Sequence, residues 1–148
     1  MTRDAPTASL GGTAVRISEL LDGEMRWMGV GQVVSDGAGL VFPQALPTEP
    51  AVYRWLFPDG HTAYIGQCED LRRHINGYKN PGPSQRTNHE INAKILASAG
   101  PSDPVQLHTL AVQTNAGVAD LTDSFLRKAL ENLAVIWARS EGMNVLNK

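Results

Sequence analysis

Short apolar runs broken by turn residues come first along the chain, and a long helical stripe comes last. Val15 to Leu21 reads as a short helix, with Thr13 as N-cap and Gly23 as stop. Residues 1–13 are small and polar and are expected to be loosely attached. Arg26 to Val34 and Leu40 to Phe42 read as extended runs split by glycine-rich turns. Pro43, Pro47 and Pro50 then make a stiff connector. Ala51–Leu56 and Thr62–Gly66 follow as two strands around Pro58-Asp59-Gly60, the pattern of a β-hairpin. A helix is predicted from Glu69 to Tyr78, its acidic start suiting the positive end of the helix dipole. Asn80-Pro81-Gly82-Pro83-Ser84 is a loop, and a second helix covers Asn88–Ala99, closed by Gly100-Pro101. Val105 to Val112 alternates as a third strand. The last helix spans Leu121–Ser140, with Phe125, Leu126, Ala129, Leu130, Leu133, Ile136 and Trp137 as its apolar stripe. Gly142 ends it, and Val145-Leu146 closes the chain as a short strand.

This order predicts an α/β unit over residues 50–148, with residues 1–49 as an N-terminal arm or lid. The proline connector is too short to separate two independent domains, and 148 residues suit one modest core. An apolar share of 42% and a charged share of 19% are ordinary for a soluble globular chain. No apolar window reaches the ~18 residues of a membrane span, and Met1-Thr-Arg-Asp-Ala-Pro6 has no signal-peptide core. The single cysteine, Cys68, excludes an internal disulfide and a cysteine-rich zinc site, so a reducing cytoplasm is the expected compartment.

A net charge of −2 argues against nucleic-acid binding by bulk electrostatics. Its distribution softens that objection. Residues 1–50 hold 3 basic and 6 acidic side chains, whereas residues 51–96 hold 6 and 4, together with His61, His74 and His89. Positive charge therefore gathers around the hairpin and the helix after it. Arg72, Arg73, Lys79, Arg86 and His89 are the candidate nucleic-acid contacts. Ser84, Gln85, Thr87 and Asn88 could also touch phosphates, although Asn88 equally suits a helix N-cap.

The hairpin brings Tyr53 and Tyr64 side by side, directly before a helix rich in arginine and histidine. Phenols beside cations suit the holding of a phosphodiester and its attacking water. The bland alternative puts both rings in the core with their hydroxyls at the rim. His74 and Tyr78, four residues apart, share a helix face, and Asp70 lies on it too, placed to pair with His74. Glu131 sits beside the apolar stripe of the last helix, where a carboxylate can hold a divalent cation. Its bland alternative is an exposed glutamate with Arg127 four residues before it.

Ala51-Val52-Tyr53 and Tyr64-Ile65-Gly66 resemble the two halves of the GIY-YIG nuclease signature. The resemblance runs over about residues 51–147. It implies a small central, mainly antiparallel three-stranded sheet flanked by helices, and hydrolysis of DNA phosphodiesters with one divalent metal, Mg²⁺ or Mn²⁺. In the implied site Tyr53 helps take a proton from the attacking water and Tyr64 orients it or supports the phosphate. Glu131 is then the metal's only protein ligand, and Tyr78 matches a further aromatic site position. Asn144 matches the family's terminal asparagine, with Asn147 a weaker candidate. The family has an arginine where this chain has His74. Three readings fit: an inactivating substitution, a variant in which His74 still serves with Arg73, or a member that binds without cutting. A fixed charge at this position would offset charge on the phosphate, so His74→Arg is expected to raise cleavage. The rival functions are a non-catalytic nucleic-acid-binding module on the same fold and a plain α/β interaction domain.

Overall fold

A computed structural model describes residues 23–147. Its strands are β1 (Gly23–Ser35), β2 (Leu40–Val41), β3 (Ala51–Leu56), β4 (Thr62–Cys68), β5 (Val105–Thr114), β6 (Gly117–Val118) and β7 (Asn144–Val145). Its helices are α1 (Leu71–Lys79), α2 (Arg86–Ser98) and α3 (Ser124–Ser140). The predicted helix over 15–21 lies outside the described residues, as does the loose segment 1–13. The class is mixed α/β, but the sheet has seven strands rather than three, in the order β2-β1-β5-β3-β4-β7 with β6 on β5. Two of the four further strands, β1 and β2, lie in the segment expected as an arm or lid. There β1 runs antiparallel to β5 from the Gly23–Thr114 pair to the Val33–Val105 pair. A register shift falls between Gly29 and Gly31, and Gly31 is needed because a Cβ there would stand 2.7 Å from Pro43. Six of the 13 residues of β1 are exposed, six are half-buried and only Val33 is buried, so little apolar burial marks it as a long strand.

The hairpin of β3 and β4 follows the predicted pattern. Its turn is held by Asp59, whose carboxylate accepts from the N–H groups of His61 and Thr62 at 2.8 Å each and from the Thr62 hydroxyl at 2.7 Å. These bonds pull the Asp59 carboxyl down to about 2. Gly60 supplies the positive φ of 68° that the turn requires. Strand alternation then sorts the hairpin onto two faces. Tyr53, Trp55 and Cys68 pack with Leu71, Ile75 and Tyr78 of α1 and with Ile91 and Ile95 of α2. Val52 and Ile65 pack on the other face with Leu110, Leu130, Ala134 and Ala138.

Helix α1 begins at an Asp70 cap that accepts from Arg73 N–H at 3.0 Å. Helix α2 begins at Arg86 behind Gln85, so Asn88 lies inside the helix and does not cap it. Helix α3 departs most from its predicted face. Phe125 is 87% exposed and Ile136 62%, whereas Arg127, Leu130, Ala134 and Ala138 are buried. At about 100° per residue, the buried face is turned by roughly a quarter to a third of a turn from the predicted stripe. Two alanines let the helix lie close to the sheet, and the buried Arg127 is satisfied in place. Its Nε donates to Gln67 at 2.8 Å, and its Nη1 donates to the carbonyls of Leu121 and Thr122 at 2.9 and 3.0 Å. This rotation brings Glu131 to the rim of the buried face.

Gly66 lies opposite Tyr53 in the hairpin, and the Tyr53 ring crosses it. A Cβ on Gly66 would fall 2.5 Å from the Tyr53 hydroxyl oxygen and 2.7 Å from Cζ. Gly66→Ala is therefore expected to destabilise the fold by about 1–3 kcal/mol in urea unfolding. Adding it to a Tyr53→Leu background should cost far less, because the colliding ring is gone. An unchanged unfolding midpoint for Gly66→Ala alone would contradict this packing.

Candidate active site

Tyr53, on an interior strand with both faces covered, is 1% exposed. Its hydroxyl lies 2.6 Å from that of Tyr78 and 2.9 Å from His74 Nε2. The His74 ring stands 5.3 Å from the Tyr53 ring and 5.5 Å from the Tyr78 ring, centre to centre. The helical spacing of four residues thus delivers His74 and Tyr78 to one point, as predicted. Asp70 does not complete the expected pair, because its carboxylate caps α1 while His74 Nε2 faces Tyr53.

Burial sets the ionisation of this cluster. Desolvation raises Tyr53 and Tyr78 above the ordinary phenol value; Tyr78 raises Tyr53 further, whereas the bond to Tyr53 opposes the rise of Tyr78. Desolvation lowers His74, which favours its neutral form at pH 7. A half-buried neutral imidazole is not the fixed positive charge that an arginine would provide.

Tyr64 is half-buried and lines a cavity of about 450 Å³ with Glu131, Lys128, Lys94, Thr87 and Asn147. Three elements converge here: β4 supplies Tyr64, α2 supplies Thr87 and Lys94 from one face, and α3 supplies Lys128 and Glu131. The Glu131 side chain is 13% exposed and accepts from Lys128 Nζ at 2.9 Å. Lys128, and not Arg127, is therefore its basic partner. Burial raises Tyr64, the Glu131 charge adds to the rise, and Lys128 opposes it. Tyr78 also opposes the rise of Tyr64.

The two tyrosines of the signature thus have different surroundings. Tyr64 shares a cavity with Glu131, whereas Tyr53 sits beneath it in the core. His74 lines a separate cavity of about 350 Å³ with Arg73, Gln85 and Asn88. Asn144 is exposed and bonds Thr62 Oγ1 at 3.4 Å, away from Tyr64. Asn147, the weaker candidate, reaches the Tyr64 cavity. Its amide pairs with the Ile65 backbone, accepting from N–H at 2.9 Å and donating to the carbonyl at 2.6 Å, so it extends the β4 ladder beyond β7.

Among the expected nucleic-acid contacts, Arg73 alone lines a cavity with His74. Arg72 Nε is tied to the Leu46 carbonyl at 2.6 Å, and His89 Nε2 lies 2.9 Å from the Gly82 carbonyl oxygen. Lys79 and Arg86 are exposed. Lys94 and Lys128 were not singled out in the sequence, although they line the cavity of Tyr64 and Glu131. The spacing of Thr87 and Lys94 marks one helix face, but only packing shows that this face meets Tyr64.

Two carboxylates, Glu90 and Glu131, line this cavity, and one or two carboxylates with water and substrate oxygens suit Mg²⁺ or Mn²⁺. The described residues contain no group of three or more His, Cys, Asp and Glu arranged to hold a metal, so a zinc-type ligand set is not formed among them. No described helix is long and apolar enough to cross a membrane.

No protein-family model and no curated protein matches the chain. Among solved structures, a mutant of bacteriophage T4 EndoII is similar over 79% of this chain and 91% of that one, with 15% identity and a TM-score of 0.44. Function is accordingly argued from the site itself.

Burial also predicts an acid limit to stability. His108 accepts from Arg54 Nε at 2.9 Å, and desolvation with the Arg54 charge brings it down to about 4. His74 is shifted the same way. Histidines in the unfolded chain bind protons near pH ~6.5, before the folded ones do. Stability should therefore fall as pH drops from ~6.5 towards 4. His108→Gln should flatten part of that fall in urea unfolding followed against pH. A slope unchanged by the substitution would remove His108 from this account.

Proposed function

We propose that this chain is a divalent-metal-dependent DNA endonuclease with a GIY-YIG-type site, hydrolysing phosphodiester bonds in the cavity of Tyr64 and Glu131. The observation that carries the reading is the convergence of the Tyr64 phenol, the Glu90 and Glu131 carboxylates and two lysines on one cavity. A phosphodiester would lie with its negative oxygens toward Lys94 and Lys128. Glu131 would hold Mg²⁺ or Mn²⁺, which when bound supplies positive charge to the scissile phosphate and its leaving oxygen. Tyr64 is the phenol placed to meet the attacking water. Tyr53 has no exposed surface to do so, and its role is to position the cluster from below. Tyr64 is raised above the ordinary phenol value, so it accepts a proton only where neighbouring positive charge favours its anion; Lys128 contributes in that direction.

The Lys128–Glu131 pair supports a second reading, in which the lysine occupies the carboxylate and the site binds DNA without cutting. The two separate in one assay. Duplex and branched DNA are incubated with the protein, with and without Mg²⁺ or Mn²⁺. Cleavage that requires the metal, lost by a factor on the order of a hundred or more in Glu131→Gln and Tyr64→Phe, is the expected result. Lys94→Ala should weaken DNA binding and reduce its salt dependence. Salt-sensitive binding with no cleavage under any metal would select the binding module. Full cleavage by a folded Glu131→Gln protein would remove the metal site from the proposal.

A further inference from the structure

The cavity of Tyr64 and Glu131 does not stand alone. A further cavity of about 440 Å³ adjoins it, and Lys128, Glu131 and Asn147 line both. Its floor is α3. Two rows of side chains spaced four residues apart run along that helix: Glu131, Val135 and Arg139 in one, Lys128, Asn132 and Ile136 in the other. Adjacent rows of this kind enclose a groove. The groove starts at a carboxylate and ends at a guanidinium, with Lys128 and Arg139 roughly 16 Å apart along the helix axis.

Charge differs between the two cavities. Glu90 and Glu131 balance Lys94 and Lys128 in the first, whereas the second sets Lys128 and Arg139 against Glu131 alone. Arg139 Nη2 donates to the Asn147 carbonyl at 3.3 Å, which ties the guanidinium to one wall of the groove. That bond engages one N–H of a group that has five, and a planar fork of this kind matches a phosphate. Between the two cations lie Val135, half-buried, and Ile136, 62% exposed. An exposed isoleucine alone means little. Beside a valine, in a groove with a cation at each end, it offers an apolar seat for a sugar between charged phosphates.

We infer that this groove is a subsite for the DNA strand that flanks the scissile phosphate. The inference rests on the nuclease reading above, which seats the scissile phosphate beside Glu131 and Lys128. Lys128 lines both cavities, so one continuous strand can occupy the two. Arg139 takes a phosphate further along that strand, and Val135 and Ile136 take the deoxyribose side between them. The ligand is a phosphodiester backbone, anionic oxygens joined by sugars. Such contacts add affinity and fix the direction of the strand without adding sequence preference.

The test reads binding rather than cleavage. Fluorescence anisotropy of a labelled DNA duplex is followed with the full chain, without added metal, over a range of KCl concentrations. Arg139→Gln should weaken binding by about fivefold. It should also make the slope of log affinity against log salt shallower by about 1. Arg26→Gln removes the same charge from β1, where Arg26 is exposed, and should leave binding near the wild-type value. Ile136→Asp puts a carboxylate into the groove at an exposed position and should weaken binding as much as Arg139→Gln. Neutral methylphosphonates, placed at each flanking phosphate in turn, should reveal one position where the wild type loses affinity and Arg139→Gln loses no more. Equal effects of Arg139→Gln and Arg26→Gln, or the lack of any such position, would overturn the subsite. Mg²⁺-dependent cleavage by the wild type would in that case still uphold the nuclease reading. Binding that depends on Arg139, with no cleavage under Mg²⁺ or Mn²⁺, would remove the nuclease reading and keep the groove as a DNA-binding surface. A wild-type protein that neither binds nor cleaves DNA would remove both.

Discussion

The Tyr53 phenol lying across Gly66 is the contact on which the site depends. It joins three elements at once: the ring belongs to β3, the floor beneath it to β4, and its two hydrogen-bond partners to α1. Because the partners are four residues apart on one helix, a single phenol fixes both the distance and the rotation of α1 against the sheet. A polar group buried this deeply costs about 1–3 kcal/mol if left without partners, so the cluster is held together by all of its members or strained by the loss of one. Trp55 borders it edge-on, with its ring centre 5.6 Å from that of Tyr78 at an interplanar angle of 88°. Its indole N–H is buried without a hydrogen-bond partner, which leaves packing as its main contribution.

A second constraint comes from α3. Its two buried alanines bring the backbone near β4, and Arg127 anchors its first turns through carbonyl groups and Gln67. With that face set against the sheet, Lys128 and Glu131 fall at the rim beside Tyr64, and larger apolar side chains such as Phe125 and Ile136 face outward. The helix is therefore oriented by close approach and by one buried cation, not by its most hydrophobic stripe. Electrostatics follow from the same placement. In a chain of net charge −2, the cavity gathers Lys94 and Lys128 against Glu90 and Glu131, so the charges that line it balance.

Much of the fold was legible in the residues. β3 has its predicted bounds, the Pro58-Asp59-Gly60 turn forms, and α1, α2, β5 and α3 fall within a few residues of where periodicity and breakers put them. The long pairing of β1 was not legible as such, because its partner β5 is distant in the chain and only Val33 of β1 is buried. The pairing of His74 with Tyr78 was legible, since helix geometry is local. Lys94, Lys128 and the place of Asn147 were not, since each depends on how two distant elements meet.

The sequence by itself thus determined the local chemistry: a hairpin carrying two phenols, and a helix presenting an imidazole and a third phenol on one face. These follow from strand alternation and helical pitch, which act over a few residues. Tertiary structure decided which phenol meets solvent, which cations share its cavity, and that His74 is half-buried beside Tyr53. Those outcomes depend on the rotation of α3 and the approach of α2, and both are settled by packing between residues far apart in the chain.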